Sequence, residues 1–292
     1  MLVKMSPLLK AASEGGYAVG SFSVANMEMV LGVIKALEET KSPGIIQIAE
    51  VRLNHSPLEL IGPLMVAAAK NSSVPVAVHF DHGKTKEKII QALETGFTSV
   101  MFDGSHLPFE ENSKVTAEIN RIAKSYNADC EGEIGCVGGS EDGSENIAIN
   151  CTSPEQALEF YNNTKVDALA VAIGNAHGNY KQAPKLRFDI LEKTASLVPV
   201  PLVLHGGTGI PPDDFRKCAK LGIRKINIAT ATFDSVEQSV RSAYEGRKIS
   251  GYYDLQTAEV EGAYRNAMKH IEIFGCAGKS IKIQKGDRNE LY

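Results

Sequence analysis

Eight short apolar runs, rich in β-branched residues, alternate with helical patterns from one end of this chain to the other. No other feature restricts the fold so strongly. The runs occupy 18–24, 44–49, 75–80, 98–103, 128–134, 168–173, 201–205 and 224–229. Between them, apolar residues recur at helical spacing over 28–40, 57–70, 85–95, 110–126, 154–162, 188–196 and 213–221. Two of these segments open on capping residues, Thr85 ahead of Lys86 and Glu87, and Ser153 ahead of Pro154 and Glu155. Strand and helix in strict alternation make parallel βαβ units. Eight such units with no long linker predict a (β/α)8 TIM barrel spanning residues 1–292 as one domain. A doubly wound sheet would carry G-x-G-x-x-G after its first strand, and none is present. The remainder, 233–280, is expected to form two or three further helices that pack on the barrel or on a partner chain.

Charge and cysteine usage remove several classes of function. A formal charge of −4, with no Lys/Arg-rich arm, gives no footprint for nucleic acid. Apolar runs stay well short of the ~20 residues that span a membrane. The first 16 residues, MLVKMSPLLKAASEGG, read as an amphipathic helix rather than a signal peptide. Five scattered cysteines without C-x-x-C speak against a disulfide framework or a thiolate zinc site, so a reducing cytoplasm is the expected compartment.

In a barrel the C-terminal strand ends converge on one face, so polar residues there become neighbours whatever their separation in sequence. The run PVAVHFDH ends on Asp81 and His82, two residues that are costly to bury without a partner. Taken alone, that pair reads equally well as a helix cap beside a surface histidine. The later strands decide. Run four ends on Asp103, run five carries Glu131 and Glu133 on one side, run six is followed by His177, and run seven ends on His205. His82, His177 and His205 suit a three-ligand metal site with an open position. His55, His79, His106 and His270 take ordinary structural readings, His79 lying one pleat deeper. Two glycine-rich turns, Gly206-Gly207-Thr208 and Asn227-Ile228-Ala229-Thr230, follow strands seven and eight, where barrels bind phosphate. With Gly178 they offer backbone N–H groups to an anion. The acidic, glycine-rich stretch 135–150 reads either as a surface loop or as a lid over the site.

These residues resemble those of the class II (metal-dependent) ketose-bisphosphate aldolases, the fructose- and tagatose-bisphosphate aldolase family. The likeness runs through GGYAVGSFSVANME, VHFDHGKT, MFDGSHLPFEEN, EGEIGCVGGSEDG, LAVAIGNAHGNYKQAPKLRFDIL, VPLVLHGGTGIP and KINIAT, in order over nearly the whole chain. It implies a zinc-dependent lyase that cleaves a ketose 1,6-bisphosphate to dihydroxyacetone phosphate and glyceraldehyde 3-phosphate. His82, His177 and His205 would hold Zn2+, with Asp103 and Glu133 at a second or displaced metal position. Asp81 would be the acid/base at the carbon bearing the aldehyde. Glu141 would handle the proton on the dihydroxyacetone-phosphate carbon. Gly178, the 206–208 turn and the 227–230 turn would bind the phosphate, with a monovalent cation (Na+ or K+) there, and Asn26 would add a polar contact. The family also implies a homodimer or homotetramer.

Two departures bear on the substrate. Fructose-bisphosphate enzymes of the family often carry aspartate where Ala229 stands, and NIAT is more like the tagatose branch. Ala49 stands where serine or threonine commonly follows strand two. Arg52, Arg241 and Arg265 are the candidates for holding a distal phosphate or carboxylate, and Arg52, near a strand end, is preferred. Other ketose 1-phosphates and a non-catalytic sugar-phosphate sensor are the alternative readings. A metal hydrolase would want H-x-H on strand one, where FSVAN has none. A Schiff-base aldolase would need a lysine inside the barrel; strand six has none, and Lys225 opens strand eight at the far end from the site.

Overall fold

The computed structural model describes residues 1–139, 150–178 and 184–280. Eight parallel strands close a barrel in sequence order: β1 (Val19–Ser23), β2 (Gly44–Ala49), β3 (Val76–Gly83), β4 (Ser99–Phe102), β5 (Asp129–Ile134), β6 (Ala168–Val171), β7 (Leu202–Leu204) and β8 (Ile223–Ile228). Closure is direct, because Ser21 of β1 is in register with Ile45 of β2 on one side and Asn227 of β8 on the other. The expected TIM barrel is what the chain forms.

Helix α1 (Met5–Gly15) precedes the barrel. The crossover helices are α2 (Met27–Glu39), α3 (Leu58–Asn71), α4 (Lys86–Thr95), α5 (Phe109–Ser125), α6 (Pro154–Thr164), α7 (Phe188–Leu197) and α8 (Pro212–Lys220). They cover the outer face, so residues of β1 to β7 are buried throughout, and the strands read as continuous apolar runs. The tail supplies two helices among the described residues, α9 (Thr230–Glu245) and α10 (Tyr252–Phe274). The first begins at Thr230, inside the turn after β8, rather than at 233. Helix α10 packs on α2 and α9 packs on α10, each contact made through a glycine. A Cβ on Gly32 of α2 would strike the Val260 carbonyl of α10, and one on Gly262 of α10 would stand 2.6 Å from the Val236 Cα of α9.

Two local features position the functional face. At the end of β3 the pairing with β4 slips between Phe80 and Gly83, and His82 adopts φ +43°. In a regular strand adjacent residues point to opposite sides. The bulge and the left-handed residue break that alternation, and so Asp81 and His82 both face the barrel interior. The chain after the bulge is held from outside. The Glu50 carboxylate, in the 3-10 turn Glu50–Asn54, accepts from the Lys84 and Thr85 amides at 2.7 and 3.0 Å and from Thr85 Oγ1 at 2.8 Å. Thr85 does stand at the N-cap of α4, but its hydroxyl accepts no amide of the first turn and donates to Glu50 instead. Ser153 caps α6 as expected, accepting from the Gln156 amide at 3.5 Å.

Candidate metal centre

His82 at the end of β3, His177 after β6 and His205 after β7 gather at one point. Their ring centroids lie 4.6 to 6.1 Å apart, and their ligand nitrogens fall within 4.8 Å of one another. Two of the rings are aimed by carboxylates. His82 Nδ1 bonds Asp103 Oδ2 at 2.6 Å, and His205 Nε2 bonds Glu131 Oε1 at 2.8 Å. Each carboxylate claims the ring N–H facing it, which leaves the lone pair on the other nitrogen. Those nitrogens, His82 Nε2 and His205 Nδ1, stand 2.9 Å apart. Two lone pairs at that distance repel unless a cation lies between or beside them. Ligand nitrogens around a tetrahedral zinc sit ~3.3 Å apart for bonds of 2.0–2.1 Å, so little movement would admit one.

The charges also fit a divalent ion. Burial pushes Asp103 upward, but its bonds to His82 and Ser105 outweigh that and hold it well below the ordinary carboxylate range. Burial likewise opposes ionisation of Glu131, yet Lys225 and His205 bring it down to about 2. Asp81, fully buried, is carried well below its ordinary value by His82, His79, Lys225 and His205 against the same desolvation. Asp81 and Glu131 thus share the ammonium of Lys225 and Asp103 leans on His82, an acidic surplus of the kind a bound cation would offset. Glu133 behaves differently. Burial, together with the Asp103 charge, raises it well above the usual value, and its Oε2 stands 3.4 Å from His205 Nδ1. Together with His82 and Asp103 it forms a second group with metal-ligand spacing.

Beneath the histidines lies a polar network whose extent sequence reasoning missed. Asp81 Oδ2 accepts from Gln47 Nε2 at 2.8 Å and its Oδ1 from Asn227 Nδ2 at 3.0 Å, and His79 Nε2 lies 3.6 Å from that same Oδ1. Lys225 Nζ bonds Asn227 Oδ1 and Glu131 Oε2, both at 2.8 Å. Lys225 is therefore inside the barrel, which corrects its expected placement at the far end of the strand. It is two residues from Asn227 on β8, and alternation puts both on the interior face. Gln47, a polar residue in the middle of GIIQIA, carried a comparable signal. His79 keeps its structural contact, Nδ1 to Ser99 Oγ at 2.9 Å, while also lining the site.

The glycine turns lie side by side. Gly206 has φ +61°, and a Cβ there would collide with the Ala176 carbonyl; one on Gly207 would meet the Asn227 carbonyl at 2.7 Å. Thr208 Oγ1 accepts from the Ala231 amide at 3.0 Å, joining this turn to the first turn of α9. Ile228 and Ala229 are buried in the approach to that helix, which begins at Thr230. Gly178 has φ +78°, and among the described residues nothing lies within 4 Å of where its Cβ would be. The Asn227 side chain turns to Asp81, to which its Nδ2 donates. Asn26 is engaged as the N-cap of α2, accepting from Met29 N at 2.9 Å, and donates to Glu259 Oε2 at 2.8 Å. The Arg52 guanidinium lies over the Phe233 ring, 5.0 Å from its centroid, at the mouth between β2 and α9. Glu141 and most of the 135–150 stretch lie outside the described residues.

The family profile described as fructose-bisphosphate aldolase class-II matches residues 3–279. A fructose-bisphosphate aldolase of Geobacillus stearothermophilus is 38% identical over 294 aligned residues, covering 96% of this chain and 99% of that one. A sulfofructosephosphate aldolase of Alkalicoccus urumqiensis is 37% identical, covering 94% and 96%. Among solved structures, the YdjI aldolase from Escherichia coli K12 superposes with a TM-score of 0.87 at 35% identity, covering 96% of this chain and all of that one.

Proposed function

We propose, because this chain belongs to the fructose-bisphosphate aldolase class-II family, that it reversibly cleaves a phosphorylated ketose to dihydroxyacetone phosphate and an aldehyde, with zinc held by His82, His177 and His205. The observation that carries the reading is the convergence of three imidazoles from separate strand ends beside a buried, ionised Asp81. When bound, the zinc ion supplies the Lewis acidity that draws electrons from the ketone as the carbon–carbon bond breaks.

Everything else falls to the protein's own groups. Asp81, fixed by Gln47 and Asn227, takes the proton from the hydroxyl that becomes the aldehyde oxygen. Glu141, assigned from the family resemblance, returns a proton to the dihydroxyacetone-phosphate carbon. The 206–208 turn, Gly178 and the start of α9 bind the phosphate through backbone N–H groups, a monovalent cation adding charge there, and that anchoring orients the reacting carbons. Asp103 and Glu133 serve a displaced metal position. Arg52 faces the distal charged group, with Asn26 at the rim. A homodimer or homotetramer in the cytoplasm is the proposed setting.

Two measurements test this. Exhaustive chelation should abolish cleavage and zinc should restore it, while borohydride with substrate leaves activity intact. Asp81→Ala should lower kcat/KM by at least ~10²-fold with zinc content unchanged. Activity that survives chelation, or a loss below about tenfold, would reject the assignment. A panel of ketose 1-phosphates and 1,6-bisphosphates, widened by the sulfofructosephosphate relative to a sulfonated ketose phosphate, identifies the acceptor aldehyde.

A further inference from the structure

We infer that Asn175 is a positioning residue that sets the separation of His177 and His205 and thereby the metal affinity of the site. The inference rests on the metal-binding reading above, and its evidence is the wiring of the loops that carry the ligands.

Asn175 is fully buried between the ends of β6 and β7. Its Oδ1 accepts from the Ile173 amide at 2.7 Å, which fixes the turn leading to His177. Its Nδ2 donates to the His205 carbonyl at 2.9 Å, across thirty residues of chain. The backbone around it is tied as well. The Gly138 amide donates to the Asn175 carbonyl at 3.3 Å, and the His177 amide donates to the Gly138 carbonyl at 2.7 Å. One residue therefore joins the loops that follow β5, β6 and β7.

That placement has a consequence for the two imidazoles. His205 is held at its ring by Glu131 and at its carbonyl by Asn175, and two fixed points leave Nδ1 one direction to face. His177 follows Asn175 by two residues on a backbone already bonded to Gly138. The Gly206 Cα packs so closely against the Ala176 carbonyl that the two loops have no slack. An amide is required because one end must accept and the other donate, and no single smaller side chain spans both partners. Removing it strands a buried N–H and a buried carbonyl, so the loops must move to rehydrate them. The ligand pair moves with them.

The test measures the zinc dissociation constant of the full-length apo-protein by competition with a chromophoric chelator. Parent, Asn175→Ala, Asn175→Asp and Asn120→Ala are compared. Asn120 is the control: it is buried on α5 and donates to the Thr164 and Lys165 carbonyls at 3.0 and 2.8 Å, away from the histidines. Asn175→Asp is isosteric, keeps the acceptor for Ile173, and sets a carboxylate oxygen against the His205 carbonyl. It isolates the His205 contact and still reports if the alanine variant fails to fold. Both Asn175 variants should bind zinc about 10- to 100-fold more weakly, the cost of losing a group that orients a ligand. Asn120→Ala should lose thermal stability with its zinc affinity unchanged. Affinities of the Asn175 variants within about threefold of the parent overturn the inference. A parent that binds zinc no better than His82→Ala overturns the metal-centre reading itself, and is distinguishable from the first outcome.

Discussion

Histidine plays two opposite parts in this protein, and surroundings decide which. His205 has a carboxylate at one nitrogen and a gathering point for ligands at the other. His270, on α10, has neither: it packs against Phe215 and Phe274 and bonds the Asn266 carbonyl at 2.8 Å. Burial, opposed in part by that bond, lowers its pKa from 6.5 to about 4. The unfolded chain therefore takes up a proton first as pH falls. Stability is unaffected above the unfolded value, declines by ~1.4 kcal/mol per pH unit between 6.5 and 4, and then levels off. His270→Leu should flatten that stretch of the melting-temperature profile, as calorimetry across pH 7 to 4 would read. At this scale the sequence was informative wherever function meets a strand end. Asp81, His82, His177 and His205 stand out because charged or metal-competent groups interrupt apolar runs. Lys225 was hidden by its position near the start of a run. Its depth in the barrel depends on strand tilt and stagger, which no single run reveals.

Among the elements, the junction of β3 and α4 is held from outside. A left-handed His82 and a slipped register come just before the helix. Glu50, from the neighbouring loop, accepts from the two amides between them. Glu50→Ala should cost about 1 kcal/mol, the usual net loss for removed hydrogen bonds, and speed hydrogen exchange at the amides of Lys84 and Thr85. Glu50→Gln, which retains an acceptor oxygen, should restore most of the protection. The capping signal at Thr85 was legible as a boundary but not as a mechanism. Local sequence marks where a helix begins, whereas the group that pins the two amides leading into it comes from a separate strand–helix loop.

For the whole molecule, the barrel follows from alternation alone, since parallel strands joined by helices have few ways to close. The seat of α10 was not legible. Gly32 and Gly262 look like weak points in helices, and only their contacts show that they let α2, α10 and α9 lie close together. Gly262→Leu should force α9 away and cost ~1–3 kcal/mol, lowering the melting temperature by several degrees. A smaller effect would mean the helices can separate without penalty.

Closure between β1 and β8 also has a bearing on synthesis. The partner of Ser21 is Asn227, some two hundred residues later in the chain. A ribosome must make some two hundred residues beyond β1 before the first strand acquires its second neighbour. Until then the nascent chain presents two bare strand edges, the surface that invites pairing with other chains. Assembly of this fold is thus governed by its last strand, and a translational pause before β8 is the moment of greatest exposure to aggregation.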